Sequence, residues 1–80
     1  MVSYYLLFDD VDMKPIYIMG QPLPEIGRIF NITNLTNGDF FINWVVYQIT
    51  TNIGIYADNS MNDYIKPARI EYSVYCRRAS

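Results

Sequence analysis

Histidine is absent from the 80 residues. That removes the commonest general acid or base near neutral pH and the commonest metal ligand. A Ser-His-Asp or Cys-His nucleophile cannot be built from this chain alone. Cysteine occurs once, as Cys76, so no internal disulfide can form and a structural zinc site lacks ligands. Charge is scarce as well. Asp, Glu, Lys and Arg make up 18% of the chain, against about 25% in ordinary soluble domains. The net charge of −2 is unlike the basic footprint of a general nucleic-acid binder and too mild for a protein that mimics DNA. No apolar run approaches the roughly 20 residues of a membrane-spanning helix. The first residues read directly as a strand, without a basic segment leading into an apolar one, so no secretory signal is expected. The expected compartment is the cytoplasm, the host cytoplasm if the chain is viral. Two glycosylation spellings, at Asn31 and Asn34, therefore carry no weight.

Glycine-based chemistry is missing too. Gly20, Gly27, Gly38 and Gly54 have the spacing of neither a phosphate loop nor a dinucleotide fingerprint. Asp9, Asp10 and Asp12 lie close together, but a calcium site needs six to eight oxygens at defined spacing. They read better as a turn in which Asp side chains bond nearby backbone N–H groups. Cys76 falls on the apolar side of its strand and reads as a buried, unreactive thiol. No cofactor, metal or catalytic site is expected, and the chain is read as non-enzymatic.

What is abundant is apolar and aromatic surface. Hydrophobic residues make up 51% and aromatic residues 16%, with eight Tyr, four Phe and one Trp. Eighty residues form one domain, 1–80, with a single core. The strongest local signal is Asn37-Gly38, a pair suited to a two-residue type I′ turn. It predicts a hairpin of residues 27–36 and 39–50 in which Asn31 faces Trp44 and Ile29 faces Val46. One face then carries Ile29, Leu35, Phe40, Ile42, Trp44 and Val46. The other carries Phe30, Ile32, Phe41, Val45 and Tyr47. Both are apolar, whereas a solvated antiparallel sheet turns a polar face outward.

Residues 3–8 read as a strand, and 15–19 as its return. Residues 20–24 read as a loop, and 24–28 as one helical turn. A tight reversal is expected at Thr50-Thr51, with a short strand at 52–56. Residues 57–66 read as a loop with a helical turn near 61–65. Residues 67–76 alternate cleanly, with Ala68, Ile70, Tyr72, Val74 and Cys76 on one side. The expected fold is mostly β, with five to six antiparallel strands folded as a barrel or sandwich. An α+β arrangement with one short helix is the fallback.

The expected function is a protein–protein interaction module that occludes a target, self-associates and uses Phe30, Ile32, Phe41, Val45 and Tyr47 as its interface. Its partners are a second copy of itself, a protein target, or both; no membrane is involved. The short frame, rich in Asn, Ile and Tyr, suits an inhibitor encoded by a virus or mobile element. One alternative is a structural assembly protein. The other is a small barrel binding single-stranded nucleic acid through Arg69, Tyr75, Arg77 and Arg78, since bases stack on exposed aromatics beside a basic groove.

Overall fold

A computed structural model describes residues 1–33, 35–36, 41–56 and 64–79, with only the backbone described at Phe41 and Ile42. Five strands occur in it: β1 (Val2–Phe8), β2 (Ile16–Gln21), β3 (Ile29–Thr33), β4 (Phe41–Gly54) and β5 (Arg69–Arg78). They form one sheet in the order β2-β1-β5-β4-β3, curled into a half-barrel. The mostly β expectation holds. Among the described residues there is no helix at all, and so none long and apolar enough to cross a membrane. Residues 24–28 form a turn rather than a helical one. There Gly27 adopts a φ of 94°, which a side chain resists. The helical turn expected near 61–65 falls largely outside the described residues, as does the Asn37-Gly38 turn.

Three of the four strand pairings are antiparallel, but β1 runs parallel to β5, from Tyr4 opposite Tyr72 to Phe8 opposite Cys76. The sheet is therefore mixed. Tyr4, Leu6 and Phe8 on β1 meet Tyr72, Val74 and Cys76 on β5 row by row, so both strands can turn their apolar alternates to one side. The Asp-rich link after β1 is the expected turn. The Asp12 N–H donates to Asp10 Oδ1 at 2.9 Å, and the Met13 N–H donates to the Asp10 carbonyl at 3.0 Å.

The β3–β4 register differs from the expectation by one residue. Phe30 faces Trp44, Asn31 faces Asn43 and Ile32 faces Ile42. A one-residue slip exchanges the two faces of a strand, and burial decides which register wins. The expected register would set Asn31 beside Trp44 in the core and turn Phe30 and Ile32 to water. In the observed one Phe30 and Ile32 pack against the core. Asn31 and Asn43 meet on the outside, where Asn31 Nδ2 donates to Asn43 Oδ1 at 2.8 Å. Burying two large apolar side chains instead of an amide gains several kcal/mol, at about 1.5–3 kcal/mol for each apolar side chain. Phe30 and Ile32 thus leave the face on which Val45 and Tyr47 sit, and the five-residue patch expected from the sequence does not form.

A second correction concerns β4. No reversal occurs at Thr50-Thr51; the strand runs on to Gly54. A bulge interrupts its ladder, with Val46 opposite Cys76 and Gln48 opposite Tyr75, so Tyr47 is the extra residue. An extra residue shifts the alternation by one place. Before the bulge the core side carries Trp44 and Val46; after it, Ile49 packs inward. The core is one-sided. Tyr4, Leu6, Trp44, Val46, Val74 and Cys76 are buried on the concave face, and partly buried neighbours such as Phe8, Ile16, Ile18 and Phe30 close around them. The molecule is long, 57 × 25 × 24 Å, with a radius of gyration of 16.3 Å. A compact domain of this length would have about 12 Å.

Candidate protein-binding surface

Four tyrosines, Tyr5, Tyr17, Tyr47 and Tyr75, gather on the convex face. Tyr5 and Tyr17, on the adjacent strands β1 and β2, have ring centroids 4.8 Å apart. Two residues along β1, Leu7 faces Tyr75 on β5. Tyr75 in turn lies 6.4 Å from the ring of Tyr47 on β4. The guanidinium of Arg77 sits 5.7 Å from the centre of the Tyr47 ring, within reach of a cation–π attraction. A band of Tyr17, Tyr5, Leu7, Tyr75 and Tyr47 therefore crosses four strands.

The bulge is what places Tyr47. As the extra residue it has no partner position on β5, and its side chain leans toward the end of β1. There its hydroxyl donates to Asp9 Oδ1 at 3.0 Å. That bond to a carboxylate holds the phenol in its protonated form and raises its pKa above the ordinary value; partial burial and the negative charge of Asp9 act in the same direction. The ring is thus fixed in orientation and neutral across the physiological range. Pre-ordered aromatic rings lose little rotamer freedom on docking, one reason Tyr is common in binding surfaces.

The other expected interface residues are dispersed. Val45 is half-buried on the convex side, opposite the exposed Ile29. Phe30 and Ile32 belong to the concave core. Phe41 contributes its backbone to β4, facing Thr33.

The basic residues do not form one groove. Arg77 turns to the convex face over Tyr47, whereas Arg78 turns to the concave side, 5.8 Å from the Trp44 ring centre, and pairs with Asp10 at 3.3 Å. Arg69 lies eight residues from Arg77, about 26 Å along an extended strand, and pairs with Glu71 at 3.3 Å. Only Tyr75 and Arg77, of the four residues expected to contact nucleic acid, share a site. One cation beside two tyrosines cannot track a phosphate backbone, which needs a charge every few ångströms.

The remaining chemistry is sparse. Cys76 is fully buried, and burial pushes its thiol up to about 11. At neutral pH it is a thiol rather than a nucleophilic thiolate. Among the described residues no three of His, Cys, Asp and Glu gather closely enough to hold a metal ion. A cleft of about 730 Å³ lies beside the loop after β2, between Tyr4, Ile18, Leu23, Pro24, Arg28 and Phe30. Its walls combine the loop's Pro22 and Pro24 with core-facing side chains, and Glu25 and Arg28 also line it.

Sequence reasoning missed Tyr5, Tyr17 and Asp9 as members of the convex band. The alternation of Tyr5 and Leu7 against Leu6 and Phe8 is visible in the sequence. Their neighbourhood with Tyr75 is not, because it depends on a parallel pairing between positions 68 residues apart. Comparison with protein-family models, with curated proteins and with solved structures finds no match.

Proposed function

We propose that this protein is a non-enzymatic protein-binding module that acts by occlusion: its convex tyrosine band covers a site on a partner protein, and no chemistry follows. The observation that supports this most is the ordering of the band. Tyr47 is bulged out of its ladder, bonded to Asp9 and capped by Arg77, an arrangement with no role in the core on the opposite face. Exposed surface supports it as well. The chain exposes 6494 Å², while a compact protein of its mass would expose about 5,000 Å². Surplus of that size is what interaction surfaces commonly bring. The partner it fits is a protein presenting an apolar ridge with a carboxylate that Arg77 can meet. Its lone cysteine, Cys76, kept as a thiol, fits work in a reducing compartment such as the cytosol.

The test is photo-crosslinking in source cells from a benzophenone side chain placed at Tyr75. One discrete adduct with another protein, abolished by Tyr47→Asp in a chain that keeps its strand content, supports the proposal. Adducts that are absent, or unaffected by Tyr47→Asp, would overturn it. The nucleic-acid alternative predicts instead binding to oligonucleotides that falls steeply with salt.

A further inference from the structure

We infer that the cleft beside the loop after β2 is a binding site for a small monocarboxylic acid with an apolar tail. The inference is independent of the convex band, because Tyr4 and Phe30 in the cleft belong to the concave core.

The cleft takes Tyr4 from β1, Ile18 from β2, Phe30 from β3 and the link between β2 and β3. Its volume of about 730 Å³ falls within the range of small-molecule sites, about 300–1,000 Å³. Backbone bonds hold its wall in place. The Gly27 N–H donates to the Val46 carbonyl at 2.8 Å, the Val46 N–H to the Arg28 carbonyl at 2.9 Å, and the Arg28 N–H to the Glu25 carbonyl at 3.1 Å. Pro24 is buried and its ring fixes one more backbone angle. The stretch that carries Arg28 is therefore pinned to β4, and a wall ordered beforehand loses little freedom when a ligand binds.

Two groups in the cleft point to an anion. The first is Arg28. The ion pairs among the described residues belong to Arg69 and Arg78, so Arg28 has no carboxylate of its own there. Its guanidinium lies over the Phe30 ring, 5.4 Å from the centre. Stacking orients the planar fork and leaves its N–H edge to donate. The second is Tyr4. It lines the cleft and is only 3% exposed, yet its hydroxyl has no hydrogen-bond partner among the described residues. A buried hydroxyl without a partner is costly, and a ligand oxygen entering from the cleft would satisfy it. Burial raises the Tyr4 pKa, while the positive charge of Arg28 acts against the rise. The hydroxyl thus keeps its proton and sits within electrostatic reach of the guanidinium. One carboxylate, with two accepting oxygens, can meet both donors.

The remaining lining selects the rest of the ligand. Ile18, Leu23 and Phe30 supply an apolar wall for the tail. Glu25 lines the same cleft, and its charge opposes a second carboxylate, so the site suits one negative charge rather than two.

The test is titration of the isotope-labelled full chain with sodium octanoate, read from backbone amide chemical shifts, with octanol and octylammonium chloride as controls. Octanoate should saturate with a Kd of about 1 mM or below, the strength open to a ligand of about ten heavy atoms, and shift residues 23–28 most. Octanol and octylammonium should bind at least roughly tenfold more weakly. Arg28→Gln and Tyr4→Phe should each weaken octanoate by roughly tenfold, the lower end for hydrogen bonds to a charged group. Arg28 is exposed and Phe retains the buried ring of Tyr4, so both variants should keep the fold. No saturation by about 10 mM, equal binding of either control, or an affinity unchanged in either variant would overturn the inference.

Discussion

Trp44→Ala should remove a large share of the stability of the fold. Trp44 is fully buried and stands edge-on to Phe8 at 4.9 Å between ring centroids. Truncation takes roughly 200 Å² of apolar contact out of the core, or about 5 kcal/mol at 25 cal/mol per Å². One effect runs the other way. The indole Nε1 is buried and has no hydrogen-bond partner among the described residues, and an unsatisfied donor costs about 1–3 kcal/mol. The net loss should be about 2–4 kcal/mol, overlapping the range for large aromatic truncations. An 80-residue domain has only about 4–12 kcal/mol in total, so the midpoint in urea should fall far toward zero. Trp44→Phe separates the two contributions. It gives up part of the ring contact but removes the orphaned N–H, and should stay within about 1 kcal/mol of the parent. Urea unfolding followed by circular dichroism measures both. A Trp44→Ala cost below about 1 kcal/mol would show that Trp44 is not the centre of the core. A Trp44→Phe cost above about 3 kcal/mol would show that Nε1 makes a bond.

Three further outcomes follow from particular residues. Burial raises the Cys76 thiol from 9.0 to about 11, so the folded state holds its proton more tightly than the unfolded one; that contribution is fully present below pH 9 and is lost as pH rises toward 11. It amounts to about 2–3 kcal/mol, and the alkaline slope of stability should flatten in Cys76→Ala; an unchanged slope would contradict the burial. Tyr47, held neutral by Asp9, should ionise above the ordinary tyrosine range, and Tyr47→Phe should remove a late-titrating phenol from the absorbance curve near 295 nm; a curve unchanged at its alkaline end would dissociate Tyr47 from Asp9. Gly27→Ala places a side chain at a φ of 94° with open space around it, so the penalty is backbone strain alone, about 1–2 kcal/mol; a neutral thermal melt would mean the turn relaxes freely.

Local pattern made much of the fold legible. Alternation identified β1 and β5 and put Val74 and Cys76 on one side of β5, because period-two burial is a property of each strand alone. The Asp-rich turn was legible for the same reason: Asp10 bonds its own neighbours. Register was not. It is chosen between strands, and Asn37-Gly38 suggested a two-residue turn whose faces the burial of Phe30 and Ile32 overrules. The bulge left a trace that could have been read, since the apolar spacing in β4 steps from two to three between Val46 and Ile49. The reversal expected at Thr50-Thr51 does not account for it. The parallel neighbour of β1 left no local trace, and with it the convex band of Tyr5, Leu7 and Tyr75 stayed hidden.

Every surface assigned a role depends on which side chains the sheet turns inward, so cross-strand nuclear Overhauser effects between β3 and β4 are the most direct measurement. Contacts from the Phe30 ring to the Trp44 indole, together with contacts between the Asn31 and Asn43 side chains, are the expected result. Contacts joining Asn31 to Trp44, with Phe30 and Ile32 accessible to a soluble relaxation agent, would exchange the two faces and contradict the assignment.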